Sequence, residues 1–257
     1  MSALRMAASD TLVVARRNLL RIPRQPDLLI SFTVQPIMFV LLFALVFGGA
    51  IKTPGYDYVD FLMPGIIVQT MAFGGFVTAL GLAEDLRKGL IDRFRSLPMA
   101  RGAVLAGRTA ADIATNSIAL AIMLVVGVIL GFWFSASGVD AIAGVLIVLL
   151  FGYAFSWVFA LAGLSASSAE AAQAIGFIVV FPLTFVSSAF VPVATMPDWL
   201  QPIAEVNPVS IVVDAVRALW LGAPAGNAVW GAVAWSVGIA LVFAVLSIRS
   251  YRRAASR

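Results

Sequence analysis

The chain has no cysteine and no histidine among its 257 residues. Without cysteine there are no disulfides, thiolate nucleophiles or cysteine-held metals. Without histidine the commonest general base and the commonest metal ligand are both missing. Charge is also scarce: Asp, Glu, Lys and Arg make up 12% of the residues, about half the share of an ordinary soluble domain. No G-x-x-x-x-G-K-[ST] loop occurs, so the chain does not bind ATP in the P-loop manner. Gly163-Leu164-Ser165-Ala166-Ser167 departs from the G-x-S-x-G nucleophile pattern and has no base to serve it. The apolar runs hold almost no ionisable groups. Asp112 and Glu170 lie near run ends where water is expected to reach them, so a proton-coupled pump would lack its relay. The expectation is a protein that is not an enzyme, with no catalytic residue, no metal and no cofactor of its own.

What is abundant is apolar surface: 61% hydrophobic residues and a mean hydropathy of +1.01. A spanning helix needs about 20 predominantly apolar residues. Six runs qualify: Leu28–Ala50, Phe61–Ala83, Thr109–Trp133, Ile142–Ser165, Ala171–Val191 and Ala228–Ile248. Their composition lacks the alternation of a barrel strand, and backbone amides in lipid must be satisfied within the segment, so each is expected to be helical. Basic residues sort the two sides. Segments 1–27, 84–108 and 249–257 hold five, six and four of the 17, leaving only Lys52 and Arg217 elsewhere. The positive-inside rule then puts both termini in the cytoplasm. The pI near 10 reflects that membrane face, not nucleic-acid binding. The N-terminus carries Arg5, Arg16, Arg17, Arg21 and Arg24 ahead of the first run and reads as retained, not as a cleavable signal. The expected fold is an all-α integral membrane protein of six transmembrane helices, forming one transmembrane domain over residues 1–257.

Three stretches outside the spans carry information. Within 1–27, Leu4, Ala8, Leu12, Ala15, Leu19 and Ile22 recur at helical spacing, predicting an amphipathic interface helix over Ala3–Ile22 that Pro23 and Pro26 end. Within 84–102, acidic and basic residues interleave with Leu86, Leu90, Ile91, Phe94 and Leu97. That pattern is compatible with a helix that docks on a protein and with a solvated loop that only fixes orientation. Within 192–222, four prolines cut a strongly apolar outer segment into pieces. Pro197–Ile203 and Pro208–Leu221 are predicted short helices that re-enter the outer leaflet. Trp199 and Trp220 are placed like interfacial anchors, and Asp214 and Arg217 share a helix face and can neutralise each other. Polar residues within the spans are mild, and for any one of them helix–helix hydrogen bonding is the ordinary role. As a set, Gln69, Thr70, Asn116, Ser187 and Ser188, with Phe73 and Phe181, are the candidates for a substrate path. This profile fits a subunit driven by a partner, and equally a passive channel or a structural membrane protein.

The stretch from Asp85-Leu86-Arg87-Lys88-Gly89-Leu90-Ile91-Asp92-Arg93-Phe94-Arg95-Ser96-Leu97-Pro98 to Arg101, with Gly107-Arg108, resembles the cytoplasmic loop of ABC-2 type permeases. The segment before the last run is similar to the same family. It carries Phe190-Val191-Pro192, Met196-Pro197-Asp198-Trp199-Leu200, Glu205-Val206-Asn207-Pro208 and Asp214-Ala215-Val216-Arg217. The likeness spans nearly the whole chain and is greatest to the daunorubicin-resistance permease group, from which it departs at Asp92, where glutamate is usual. The resemblance implies half of an ATP-driven exporter: a homodimer of permeases over two copies of a separate ATPase that binds the ATP and magnesium. It implies that the ATPase's motion enters through the N-terminal helix, with Arg16 and Arg17, and through Glu84, Asp85, Arg87, Lys88, Gly89, Leu90, Asp92, Arg93, Phe94, Leu97 and Pro98. It also marks Pro197, Trp199, Asn207, Pro208, Asp214 and Arg217 as the outer segment. The expected cargo is a hydrophobic drug or lipid, leaving the cytoplasm or inner leaflet through a bacterial inner membrane. Polysaccharide or glycolipid export is the alternative within transport.

The charge distribution makes a topology prediction. Reporter fusions at Ser96 and at the C-terminus read cytoplasmic, and fusions near Tyr56, Val139 and Gln201 read exterior. A cytoplasmic signal at Gln201 contradicts six spans.

Overall fold

Apolar runs without alternation favour helices, and helices are what the computed structural model contains. It describes residues 11, 15, 26–48, 51, 53, 55–87, 103–223 and 226–254, among which no strand occurs. The expected interface helix Ala3–Ile22, apart from Thr11 and Ala15, and residues 88–102 lie outside the described residues. Arg16, Arg17, Lys88, Gly89, Leu90, Asp92, Arg93, Phe94, Leu97 and Pro98 are therefore outside them too.

Helix α1 (Pro26–Leu41) continues into a π-helical stretch over Leu42–Phe47. A second rod is made of α2 (Tyr58–Phe73) and α3 (Phe76–Arg87), interrupted at Gly74 and Gly75. There follow α4 (Ala103–Ile129), α5 (Gly138–Ser165), α6 (Ala169–Phe185), a single 3-10 turn at Val193–Thr195, α7 (Gln201–Val206), α8 (Pro208–Leu221) and α9 (Ala228–Ala254). Ser137 and Ser168 cap α5 and α6 by accepting the amides of Asp140 and Ala171. Pro208 opens α8 in the first turn, and Gly222, at φ 72°, closes it in the left-handed conformation that favours glycine.

Among the described residues four helices are long and apolar enough to cross a membrane: Tyr58–Arg87, Leu105–Ile129, Gly138–Ser165 and Ala228–Tyr251. Val34–Phe47 and Ala169–Phe185 are shorter apolar helices. All six coincide in position with the six apolar runs. Helix α5 is central, packing on α9, α3, α8, α2, α4 and α6. Its long buried face, from Ile147 through Phe151 and Phe155 to Phe159, joins Leu62, Ile66 and Met71 of α2 in one core.

Several boundaries differ from the sequence reading, α4 spanning Ala103–Ile129 and the first outer helix Gln201–Val206 among them, and two of the differences have a visible cause. The second rod runs on through Arg87, so Glu84, Asp85 and Arg87 stand on a helix instead of in a loop. Leu82 and Ala83 are buried there, and Asp85 is tied to Arg108 of α4 at 2.9 Å, which makes the extra turn worth forming. Conversely α6 ends at Phe185, short of Val191. Its final carbonyls need donor partners, and the Asn207 side chain provides them, donating to the carbonyls of Leu183 (2.7 Å) and Val186 (2.5 Å). The same side chain accepts the amide of Val209 at 2.8 Å, so one residue finishes α6 and starts α8.

The outer short helices are held inward by Arg217, which is 8% exposed. Its Nε and Nη2 donate to the Phe61 carbonyl (3.2 and 2.9 Å), Nη2 also donates to the Ser188 carbonyl (2.9 Å), and Nη1 meets Asp214 at 3.0 Å. The guanidinium also sits over the Phe61 ring, 3.7 Å from its centroid. Burial lowers its pKa to about 10 against the opposing pull of Asp214, which leaves it charged at neutral pH. The Asp214–Arg217 pairing expected from spacing is thus present, within a wider set of bonds. Trp220 departs from its expected anchor role. It is fully buried, its indole donates to the Ala141 carbonyl at 3.1 Å, and its ring packs edge-on against Phe132 and Phe134. Trp199, in contrast, is exposed.

Replacing Arg217 with methionine strips a buried charge-assisted set and should cost about 3 kcal/mol of stability, the scale for breaking a buried ion pair. Lysine should recover less than half, because an ammonium lacks the planar fork that reaches Phe61, Ser188 and Asp214 together. Thermal unfolding in lipid nanodiscs measures both; a methionine variant as stable as the parent would refute the assigned role.

Candidate substrate cleft and the polar clusters beside it

The break between α2 and α3 leaves a cleft of about 310 Å³ between these helices, α1, α4 and α6. Its walls combine two kinds of side chain. Phe39, Phe73, Phe76, Phe177 and Phe181 supply rings, with Phe177 tilted against Phe73 at 5.5 Å and edge-on to Phe76 at 5.8 Å. Gln35, Gln69, Asn116 and Gln173 supply amides, with Thr70 and Thr115 beside them. No charged side chain is among these lining residues. The Thr70 and Thr115 hydroxyls donate back to their own helices, at the Ile66 and Ala111 carbonyls. The cleft therefore suits an uncharged or weakly polar body with rings.

Of the residues proposed from sequence for a substrate path, Gln69, Thr70, Phe73, Asn116 and Phe181 line this one cleft. Ser187 and Ser188 do not. The Ser187 hydroxyl donates to the Thr184 carbonyl at 2.6 Å. Ser188 joins the outer cluster: its amide donates to the Ser210 Oγ at 3.0 Å and its hydroxyl to Asp214 at 2.8 Å. Sequence reasoning missed Phe39, Phe76, Gln173 and Phe177. The signal was present in part, because Gln173, Phe177 and Phe181 recur every four residues and so share one face of α6.

Asp112 is a correction. It was expected to reach water, yet it is 6% exposed, and both its oxygens accept from the Thr78 hydroxyl at 2.9 and 2.8 Å. Thr78 lies on α3 two turns before Asp85, and Asp112 lies on α4 one turn after Arg108, so two polar ties on shared faces join α3 and α4. Asp85, which the resemblance places among the residues that couple to an ATPase, has its side chain 15% exposed and turned to Arg108. No group of three or more Asp or Glu that could hold a metal occurs among the described residues.

Residues 9–221 match the family described as the ABC-2 type transporter. The chain belongs to the ABC-2 type transporter family. It is 35% identical over 246 residues to the daunorubicin resistance ABC transporter permease protein DrrB1 of Streptomyces coeruleorubidus, an alignment covering 96% of this chain and 87% of that one. It is 26% identical over 256 residues to the probable doxorubicin resistance ABC transporter permease protein DrrC of Mycobacterium tuberculosis, covering 99% and 92%. The putative transport permease ycf38 of Cyanophora paradoxa is 27% identical over 215 residues, covering 82% and 74%. The ABC-2 chain described here is thus a membrane-embedded, multi-pass permease built of apolar helices.

The cleft wall depends on glycine at position 74. A Cβ there would overlap Asn116, which cannot retreat because Gly152 of α5 backs it from the other side, where an added Cβ would lie 2.9 Å from the amide nitrogen. Gly74→Ala is therefore expected to lower stability by about 1–3 kcal/mol through overpacking. Gly138→Ala, where a Cβ meets nothing within 4 Å, is expected to change little. Unfolding temperatures of the two variants in detergent decide the matter, and equal values contradict the packing described.

Proposed function

We propose that this chain is the permease subunit of an ATP-driven exporter that carries a hydrophobic or amphipathic drug or lipid out of the cytoplasm or inner leaflet. The observation that carries the proposal is the cleft: aromatic and amide side chains, without a lining charge, inside a member of a transporter family. The names of the relatives, which specify daunorubicin and doxorubicin resistance, favour a drug as cargo. A large sugar chain suits a cleft of this size, with rings along its wall, poorly. The chain works as one transmembrane domain of six spans in a bacterial inner membrane, with both termini cytoplasmic, as the distribution of Arg and Lys supports. Two copies form the path, surrounded by membrane lipid, and two copies of a separate ATPase bind ATP and magnesium below them.

In this reading the ATPase docks on residues 84–102 and on the N-terminal interface helix. Buried apolar anchors dominate such contacts, and rim charges contribute little each. Leu90 and Phe94, four apart, are placed for one helix face. Phe94→Ala should weaken association with the ATPase by about 2 kcal/mol, in the range of a modest hot spot. It should lower substrate-stimulated hydrolysis while leaving insertion intact. Leu90→Ala should behave alike, and Arg101→Ala should resemble the parent. Pull-down and ATPase assays on the co-expressed complex test docking, while drug efflux from inverted vesicles, with and without ATP, tests export. Efflux that persists without the ATPase would overturn the assignment.

A further inference from the structure

The chain holds five glutamines, and the three inside apolar runs, Gln35, Gln69 and Gln173, each stand four residues before a phenylalanine: Phe39, Phe73 and Phe177. In a helix that spacing puts amide and ring on one face, one turn apart. The three pairs come from three different helices, α1, α2 and α6, and all six side chains line the same cleft. None of the three amides has a hydrogen-bond partner among the described residues. Gln35 and Gln173 are exposed, whereas Gln69 is 8% exposed. Even so, neither polar atom of Gln69 is sealed off, and the opening that this residue borders is the cleft. The threonines of the same wall are already satisfied by their own helices. The glutamine amides are the polar groups left open to a molecule in the cleft.

The three pairs do not all run the same way. Arg217 holds Phe61, near the start of α2, and Ser188, just past the end of α6, so these two helices run in opposite directions. Helix α1 runs with α6, because Phe43, one turn beyond Phe39, stacks on Phe190 at 4.8 Å. Phe73 and Phe177 meet at 5.5 Å, and four residues advance a helix by about 6 Å. Gln69 therefore lies on the side of the meeting rings that faces the outer cap. Gln173 lies on the other side, as does Gln35 relative to its own ring. The order along the cleft is amide, ring, amide. No lining side chain is charged, so an ion entering would lose its water without compensation. We propose that the cleft takes an uncharged, ring-bearing molecule with hydrogen-bonding groups at two opposite edges, Gln69 reading one edge and Gln35 and Gln173 the other. The inference rests on the export reading above and adds to it a chemical class and the residues that select it. Gln69 is the stricter reader. A molecule with no polar group at that edge would cut the enclosed amide off from water and offer nothing in return.

Biphenyl, its para-hydroxy derivative and its para,para′-dihydroxy derivative provide the probes, sharing an uncharged ring-bearing body with no polar end, one polar end or both. Binding of each to the full-length chain in lipid nanodiscs is measured by equilibrium dialysis against empty nanodiscs. The parent is expected to prefer the diphenol to the monophenol by about fivefold, the scale of one net hydrogen bond, and the monophenol to biphenyl by about as much. Gln69→Leu should bring the first ratio close to one, because only one end is then read, and should keep the second. Gln35→Leu combined with Gln173→Leu should do the same from the other side. Methionine, unbranched and close to glutamine in length, gives the same reading at each position should a leucine variant not fold. Gln201→Leu, outside the cleft, should keep both ratios. The assignment is overturned if the diphenol preference survives loss of Gln69 or loss of the other two, or if the parent binds all three probes equally or none. ATP-driven drug efflux by the parent complex in the same lipids separates the two layers: efflux with no glutamine-dependent preference removes the two-edged reading and leaves the exporter, whereas no efflux removes the exporter itself.

Discussion

The guanidinium of Arg217 is the tie on which the outer half of the structure depends. In a lipid environment an interrupted helix exposes carbonyls that nothing outside the protein can satisfy. Between the end of α6 and the start of α8 the chain is mostly irregular, and its polar groups need partners from elsewhere. Arg217 reaches across to the backbone of Phe61 on α2 and of Ser188 in the irregular stretch, and Asp214 balances its charge. Asn207 does the same for the last carbonyls of α6. These two residues give the carbonyls of Leu183, Val186, Phe61 and Ser188 partners from another element where the helices are interrupted.

Helix α5 organises the remainder by being thin in the right places. Gly144 admits the Trp220 indole, Gly152 backs Asn116, and Gly163 lets the backbone of Ala79 approach. Three different neighbours thus reach the same helix at three depths: the outer cap, the cleft wall and the lower half of the second rod. Close approach of this kind is how helices associate when lipid gives no hydrophobic drive to bring them together. The cleft is the region where that close packing stops, between the rings of α6 and the break in the second rod.

The apolar helices were legible because apolar length is a local property, and so were the start of α8 at Pro208 and the pairing of Asp214 with Arg217. The end of α6 was not, because its cap comes from Asn207, about twenty residues further along and on another element. Trp220 looked like an interfacial anchor because composition cannot show that Ala141 offers its indole an acceptor. Asp112 looked hydrated because its partner, Thr78, is on a different helix. Of the cleft, the polar members on α2 and α4 could be picked out as unusual residues in apolar runs. Of its aromatic members Phe73 and Phe181 were among the candidates, but Phe39, Phe76 and Phe177 were not, since phenylalanine in a membrane helix is ordinary until a neighbouring helix leaves it a gap.

The interruption at Gly74 and Gly75 has a mechanical meaning. Above it, α2 is fastened to the outer cap through Phe61; below it, α3 is fastened to α4 through Thr78 and Asp85. Helix α3 has 12 residues, a length of about 18 Å at 1.5 Å per residue. By that rise, a tilt of roughly 10° about the break carries its far end about 3 Å but shifts Phe76, beside the pivot, by only about 0.5 Å. The second rod is in this sense geared: a long stroke at the end bearing Asp85 arrives at the cleft as a small, forceful one.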